Sequence, residues 1–286
     1  MSGVAGKVCV VTGAGSGIGR ELALELVRRG ACGLAISDID EAGLAQTGRL
    51  IAELSADLIV DEQPLDVADR AAFSVYADAV ASRFGVVHQL YNNAGIASGK
   101  TVRDASFAIY DRVVAVNLFG VINGTKLFLP HLIASGDGHV TTISSLNGFM
   151  AQDELSAYCT TKFGVRGFTE SLRIELLRDR LPVQVTLVHP GGVSTNIATN
   201  GLAHAAALGV EMTERERRRV QLYNDRLLRM PPGVAARIIV DAVEHDRARV
   251  LVGRDAKLID LIVRLMPVGY QRFQLALNRV ARLTLR

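Results

Sequence analysis

Tyr158 and Lys162 stand four residues apart in a stretch with helical spacing, so both side chains leave one face. A free phenol titrates near about pH 10 and is a poor base at neutral pH, but a neighbouring ammonium favours the phenolate. Such a pair can take a proton from an alcohol or return one to a carbonyl oxygen. Alone it says little, because many helices expose a Tyr-x-x-x-Lys by chance. Ser144 and Ser145, at the end of an apolar run, add hydroxyls that can hydrogen-bond a reacting oxygen and hold it against the tyrosine.

A second group of residues suits an anion. Thr12-Gly13-Ala14-Gly15-Ser16-Gly17-Ile18-Gly19 follows a short apolar run and opens a helical one. Glycine there permits a sharp turn and close backbone approach, and the helix start offers N–H groups and a positive dipole end to a pyrophosphate. Asp38, 25 residues beyond Gly13, ends the next apolar run. A carboxylate in that place accepts hydrogen bonds from an adenosine ribose and repels a 2′-phosphate. Position 16 is serine and the glycine run holds no arginine, so NAD is expected rather than NADP. Asp38 has a second use, capping the next helix, which Asp40 serves as well. Asp66 and Val67, after the third apolar run, are placed to border the adenine; Asp66 is equally placed to cap a helix.

The elements that must hold these residues alternate regularly. Strands are expected at 7–12, 33–37, 58–60 together with Leu65, 86–91, 139–144, 183–189 and 249–252. Helices are expected at 18–29, 41–54, 69–84, one or two within 104–134, 157–178 and 232–244. That order implies right-handed crossovers and an α/β, Rossmann-type, doubly wound parallel sheet of about seven strands with helices on both faces. Ligands of such a sheet bind at the carboxyl ends of its strands. Asn92-Asn93-Ala94-Gly95 ends the fourth strand there, and Pro190-Gly191-Gly192 ends the sixth, followed by Ser194 and Thr195.

With TGAGSGIG at 12–19, NNAG at 92–95, Tyr158-Cys159-Thr160-Thr161-Lys162 and Pro190-Gly191, about residues 5–255 resemble the short-chain dehydrogenase/reductase family. The resemblance implies a catalytic tetrad of Asn117, Ser145, Tyr158 and Lys162. It selects Ser145 over Ser144 because the family serine lies thirteen positions before the tyrosine. In that scheme Tyr158 is the acid/base, Ser145 orients the substrate oxygen, and Lys162 lowers the tyrosine pKa and binds the nicotinamide ribose. Asn117, otherwise only a polar interruption in a helix, would hold a water linking Lys162 to solvent. The cofactor contacts expected are Gly13, Ser16, Gly17, Ile18, Gly19, Asp38, Ile39, Asp66, Val67, Asn93, Ala94, Gly95, Tyr158, Lys162, Pro190, Gly191, Val193 and Thr195, the last reaching the nicotinamide amide. The family also implies a homodimer or homotetramer paired through helices at 104–130 and 157–178.

Composition narrows the setting. The 286 residues suffice for one large α/β domain, and a net charge of +3 is too small to imply a nucleic-acid partner. Cys9, Cys32 and Cys159 lack metal-ligand spacing, so they are expected to be reduced core thiols, with no metal site. No signal peptide is evident, and no apolar run approaches the ~18 residues of a membrane span. A cytoplasmic enzyme is expected. His189 beside Ser145 invites a hydrolase triad, but its place at the end of an apolar strand favours a satisfied structural histidine.

The domain expectation is a catalytic unit at 1–255, with a substrate lid at about 193–230, and a C-terminal helical extension at 256–286. Selectivity should reside in 148–156 and the lid. The Ala-, Leu- and Gly-rich segment 197–210, with His204 its only ring, favours a lipophilic substrate. The expected reaction is hydride transfer between NAD(H) and a lipophilic secondary alcohol or its ketone. An NADPH-dependent ketoreductase and a non-catalytic NAD-binding sensor or scaffold are the alternatives. In the extension, apolar residues 258–266 are broken by Pro267 and Gly269. On a second helix Phe273, Leu277 and Val280 cluster away from Arg272, Arg279, Arg282 and Arg286, with Leu275 spoiling the separation. Such a tail covers the cleft or a neighbouring subunit, or makes a peripheral contact with an anionic membrane.

Overall fold

The computed structural model describes residues 2–195 and 228–272, together with 197, 221, 274 and 275. Seven strands, β1 (Val8–Thr12), β2 (Gly33–Asp38), β3 (Ile59–Pro64), β4 (Gln89–Asn92), β5 (Gly138–Ile143), β6 (Val183–Pro190) and β7 (Arg249–Val252), form one sheet in the order β3-β2-β1-β4-β5-β6-β7. Every pairing is parallel. The crossovers are α1 (Gly17–Arg28), α2 (Glu41–Leu54), α3 (Arg70–Phe84), α4 (Phe107–Val114), α5 (Gly120–Ala134), α6 (Ser156–Arg178) and α7 (Pro232–Glu244), and α8 (Arg254–Leu265) follows β7. Strand order reverses direction between β1 and β4, which opens a crevice at their carboxyl ends.

Two cores sandwich the sheet. On one face Leu22 and Leu26 of α1, Leu44 and Ile51 of α2, and Ile239 and Val243 of α7 pack against Val11 and Ile36. On the other, Phe73 and Tyr76 of α3, Phe128 and Leu132 of α5, and Leu172 and Leu176 of α6 pack against Val10 and Leu90. β1 and β2 are mostly apolar because both their faces are covered. Arg29, at the end of α1, locks the first layer by binding Glu25 at 2.8 Å, Asp241 at 2.7 Å and Glu244 at 2.6 Å.

Local chemistry sets the helix ends. Asp40 caps α2 by accepting from the Gly43 N–H at 3.1 Å, and Asp69 caps α3 through the Ala71 and Ala72 amides. Gly85 stops α3 at φ +72°.

Several expectations shift. β3 extends through Asp61, Glu62 and Gln63, polar residues that hid it, because an edge strand needs backbone pairing but little apolar surface. β4 begins only at Gln89, where the ladder to Cys9 and His139 starts; Val87 is core but precedes the strand. Cys32 is exposed in the turn before β2, whereas Cys9 and Cys159 are buried. The expected helices within 104–134 form one continuous rod, Phe107–Ala134, whose middle turn, Ala115–Phe119, is a π-helix. By length and a mean hydropathy of 1.5 this rod is long and apolar enough to span a membrane, yet half of that window is buried, with Phe128 and Leu132 in the core. Most of the lid expected at 193–230, including 198–210, and the distal part of the extension, with Phe273, Leu277 and Val280, lie outside the described residues.

Candidate active site

The chain leaves β1 at Thr12 and turns at Gly13, where φ is +69°, before entering α1. A Cβ at Gly13 would stand 2.7 Å from Ala94 Cα, and one at Gly19 would overlap the Gly13 carbonyl oxygen. Glycine at both places lets this loop close on α1 and on the segment after β4. Thr12, part of the motif but given no role by the sequence, joins the two strand ends. Its Oγ1 accepts from the Asn93 and Ala94 amides at 3.1 and 3.2 Å, while Asn93 Nδ2 donates to Thr12 O and Gly13 O, each at 3.0 Å.

The start of α1 fits a dinucleotide phosphate. Unlike α2 and α3, it has no side-chain cap: the Ser16 hydroxyl at the cap position bonds no amide of the first turn, and that turn carries no acid. Its N–H groups and positive dipole end are thus left to an anion. Asp38 stands beside this loop, accepting the Gly15 N–H at 2.7 Å and the Asp40 N–H at 2.9 Å. Capping of α2 falls to Asp40, which leaves Asp38 at the loop. Ile39 is exposed at the same edge.

Arg20, which sequence reasoning passed over, fastens the loop from below. Its guanidinium donates to Thr47 Oγ1 at 3.0 Å, to Gly43 O at 3.2 Å and to Gly15 O, and buried Thr47 donates to Ala14 O at 2.8 Å. Those donors are committed to carbonyls and a hydroxyl, so the nearest arginine to the glycine run is part of its scaffold.

Asp66 pairs with Arg112 of α4 at 2.7 Å and accepts the Ala68 N–H at 3.0 Å, while Val67 O accepts from Asn123 Nδ2 at 3.2 Å. The loop after β3 is thereby tied to the long rod.

After β6, Pro190 leads into Gly191, whose N–H bonds Val252 O at 2.9 Å, and Asp255 accepts the Gly192 N–H at 2.6 Å. Val193 bridges to Met230, and the Thr195 methyl lies 3.2 Å from where a Cβ on Gly17 would be. The loops after β1 and β6 therefore meet over the crevice. Asp255 gave no sequence signal, since its partner is a backbone amide on another loop.

The second cluster centres on Lys162, which is 3% exposed. Its Nζ donates to Ile143 O at 2.9 Å and lies 5.6 Å from the Tyr158 ring centroid. Burial pushes its pKa down from 10.5 to about 8. Gly95 lies against it: a Cβ there would be 3.6 Å from Lys162 Nζ and 3.3 Å from Asn117 Oδ1. Asn117, fully buried in the π-helical turn, clamps Ile96 through two 2.8 Å bonds and donates to Thr161 Oγ1 at 3.2 Å. The π turn, of a kind frequent at functional sites, leaves no sequence signal.

The strand end before Ser145 is tied to this lysine twice, because Ser144 Oγ donates to Lys162 O at 3.0 Å. Ser144 is thus spent on holding α6, and Ser145 is the neighbouring hydroxyl. Ser145 Oγ accepts the Asn147 N–H at 3.1 Å. Asn147, also missed, pins the following loop by donating to Met150 O at 3.1 Å and Gln152 Oε1 at 2.9 Å.

His189 Nδ1 lies 2.7 Å from Ser145 O, the backbone carbonyl and not the hydroxyl. A carbonyl can only accept, so Nδ1 carries the proton. Burial lowers the ring's pKa to about 4 and keeps it neutral. Nε2 is buried without a partner among the described residues, so the histidine is half satisfied. The geometry provides no Ser–His nucleophile pair.

Comparison with known proteins identifies the family and the fold. A sequence model of short chain dehydrogenases matches residues 7–205. A Mycobacterium tuberculosis protein assigned as an oxidoreductase, SadH, is 49% identical over 272 residues, covering 95% of each chain. Retinol dehydrogenase 10-B of Danio rerio is 36% identical over 213 residues, 68% of this chain and 63% of that protein. The crystal structure of a short-chain dehydrogenase/reductase from Burkholderia phymatum in complex with NAD superposes with a TM-score of 0.84 at 27% identity, covering 96% of this chain and 97% of the other. The chain belongs to the short-chain dehydrogenase/reductase family of oxidoreductases.

Proposed function

We propose that the protein is an NAD-dependent dehydrogenase that interconverts a lipophilic secondary alcohol and its ketone, with Tyr158 as the acid/base. The observation that carries this reading is the buried Lys162 ammonium held 5.6 Å from the Tyr158 ring. When bound, NAD supplies the hydride acceptor. Gly13, Ser16, Gly17, Ile18 and Gly19 take its pyrophosphate and Asp38 the adenosine ribose; Asn93, Ala94, Gly95, Pro190, Gly191, Val193 and Thr195 line the rest. The Lys162 charge stabilises the Tyr158 phenolate, which removes the substrate hydroxyl proton. Ser145 donates a hydrogen bond to the same oxygen and fixes it for proton transfer. Asn117 has one Oδ1 lone pair left for a water that passes the proton outward from Lys162. Support for a lipophilic substrate comes from the Ala-, Leu- and Gly-rich composition of 197–210. The retinol named in one relative is itself a lipophilic alcohol.

The test is titration of the purified protein with NAD and with NADP, followed by a panel of alcohols monitored for NADH absorbance. NAD binding with no turnover of any alcohol or ketone would favour a sensor or scaffold instead. Asp38→Asn keeps an acceptor for the Gly15 amide but removes the charge. It is expected to raise NADP affinity relative to NAD by about tenfold or more, as loss of a charge-assisted bond and of repulsion implies. A parent chain that already prefers NADP would sink the assignment of Asp38.

His189 gives a second check, on Ser145. His189→Leu deletes the N–H that holds the Ser145 carbonyl, so kcat is expected to fall about tenfold or more with little change in dinucleotide affinity. His189→Asn, whose amide N–H sits near the Nδ1 position, should recover most of that loss. Equal activity in the Leu and Asn variants would show that the bond does not position Ser145.

A further inference from the structure

We propose that the outward face of α8 docks on an anionic lipid surface, with α8 lying between the lipid and the segment following β5. α8 has two unlike sides. Ala256, Ile259 and Val263 turn inward, the last two against the cluster of Phe149, Met150 and Tyr270. Leu258, Leu261 and Leu265, spaced along one stripe, are 58%, 53% and 73% exposed, and Met266 and Val268 continue it beyond the helix at 49% and 74%. Five large apolar side chains exposed within eleven residues form a contiguous patch of the kind that marks a docking surface.

Charge selects the occupant. The two acids of α8 are both spent: Asp255 holds the Gly192 amide, and Asp260 binds Arg249 at 2.7 Å and Arg264 at 2.9 Å. Arg254 and Lys257 are exposed without an acidic partner among the described residues. From residue 261 to the C-terminus the sequence has five arginines and no Asp or Glu. An apolar stripe flanked by the uncompensated charges of Arg254 and Lys257 complements an anionic bilayer surface. A second copy on the same face would set Arg254 and Lys257 against their own counterparts.

The inner side of α8 links docking to the site. Tyr270 Oη accepts the Ala151 N–H at 3.2 Å, so the helix and its continuation prop the segment beside Ser145. A lipophilic substrate could then pass from the bilayer to the crevice; this consequence rests on the function proposed above, whereas docking itself does not.

The experiment is co-sedimentation of the full chain with phosphatidylcholine vesicles and with mixed phosphatidylcholine–phosphatidylglycerol vesicles, at low and high salt. The protein should pellet with the mixed vesicles and be released by salt. Replacing Leu258, Leu261 and Leu265 together by Ser should weaken binding about tenfold or more, and Arg254→Gln with Lys257→Gln should weaken it and flatten its salt dependence. Val75→Ser, an exposed apolar site on α3, is the control and should pellet like the parent. Circular dichroism verifies that each variant is folded. The inference is overturned if the parent chain stays in solution with both vesicle types, or if the leucine variant binds unchanged. It is also overturned if that variant splits an oligomer while leaving vesicle binding intact, since the face would then belong to a second copy. Binding can be scored without any turnover, so its failure is distinguishable from failure of the dehydrogenase assignment.

Discussion

Tyr158→Phe is expected to lower kcat by about 10²–10⁴-fold, the range over which a positioned acid/base contributes. NAD affinity should stay nearly unchanged. The substitution removes one oxygen and leaves the ring beside Lys162, where the ammonium lies 5.6 Å from its centroid. Lys162 keeps its bond to Ile143 O, and Ser144 still ties the strand end to α6. Neither anchor involves the phenol. Stopped-flow or steady-state NADH absorbance measures the first quantity and fluorescence titration the second. Turnover within a few-fold of the parent would remove Tyr158 from the chemistry; simultaneous loss of NAD binding would mean that the phenol is a structural part of the cofactor site.

Lys162→Met should have opposite effects on turnover and stability. Activity is expected to fall by at least about 10²-fold, because the charge that favours the phenolate disappears. Stability, however, is expected to rise at neutral pH. Burial holds the folded-state pKa at about 8 against 10.5 for the free group. Between those values the unfolded chain binds more protons than the folded one, so stability increases with pH across that window. Below about pH 8 both states carry the proton, and the full penalty of burying it is present. A shift of that size corresponds to about 3 kcal/mol, less the roughly 1–2 kcal/mol of leaving the Ile143 carbonyl without its donor. A net gain of about 1–2 kcal/mol is therefore expected in urea unfolding at pH 7, shrinking as pH rises from 8 toward 10.5. A variant less stable than the parent at pH 7 would show that the ammonium is held by more than the one carbonyl. The same burial that makes Lys162 costly is what lets its charge act strongly on a neighbour, since few waters screen it.

The alternation of apolar runs and helical segments determined the sheet, its parallel sense and its approximate boundaries before any coordinates. The helices at Glu41–Leu54 and Pro232–Glu244 and the strand at Arg249–Val252 lie where the pattern put them. The reason is that buried central strands and amphipathic crossovers must write their periodicity into side-chain type. The glycine run was legible too, because a positive φ and a close backbone approach demand glycine itself. Only the tertiary structure decided the rest. Ile59 and Val60 announced β3, but its polar half, Asp61 to Gln63, is strand through backbone pairing with β2, which no side chain announces. The division of labour between Ser144 and Ser145, and between Asp38 and Asp40, follows from which partner each meets across the fold. Arg20, Asn147 and Asp255 hold loops by bonding main-chain atoms of residues 5, 3 and 63 positions away. A backbone carbonyl or amide is present at every residue, so such a bond has no signature in sequence. The π turn at Asn117 and the exposed leucines of α8 are of the same kind, because one is a matter of backbone register and the other of what does not lie on top.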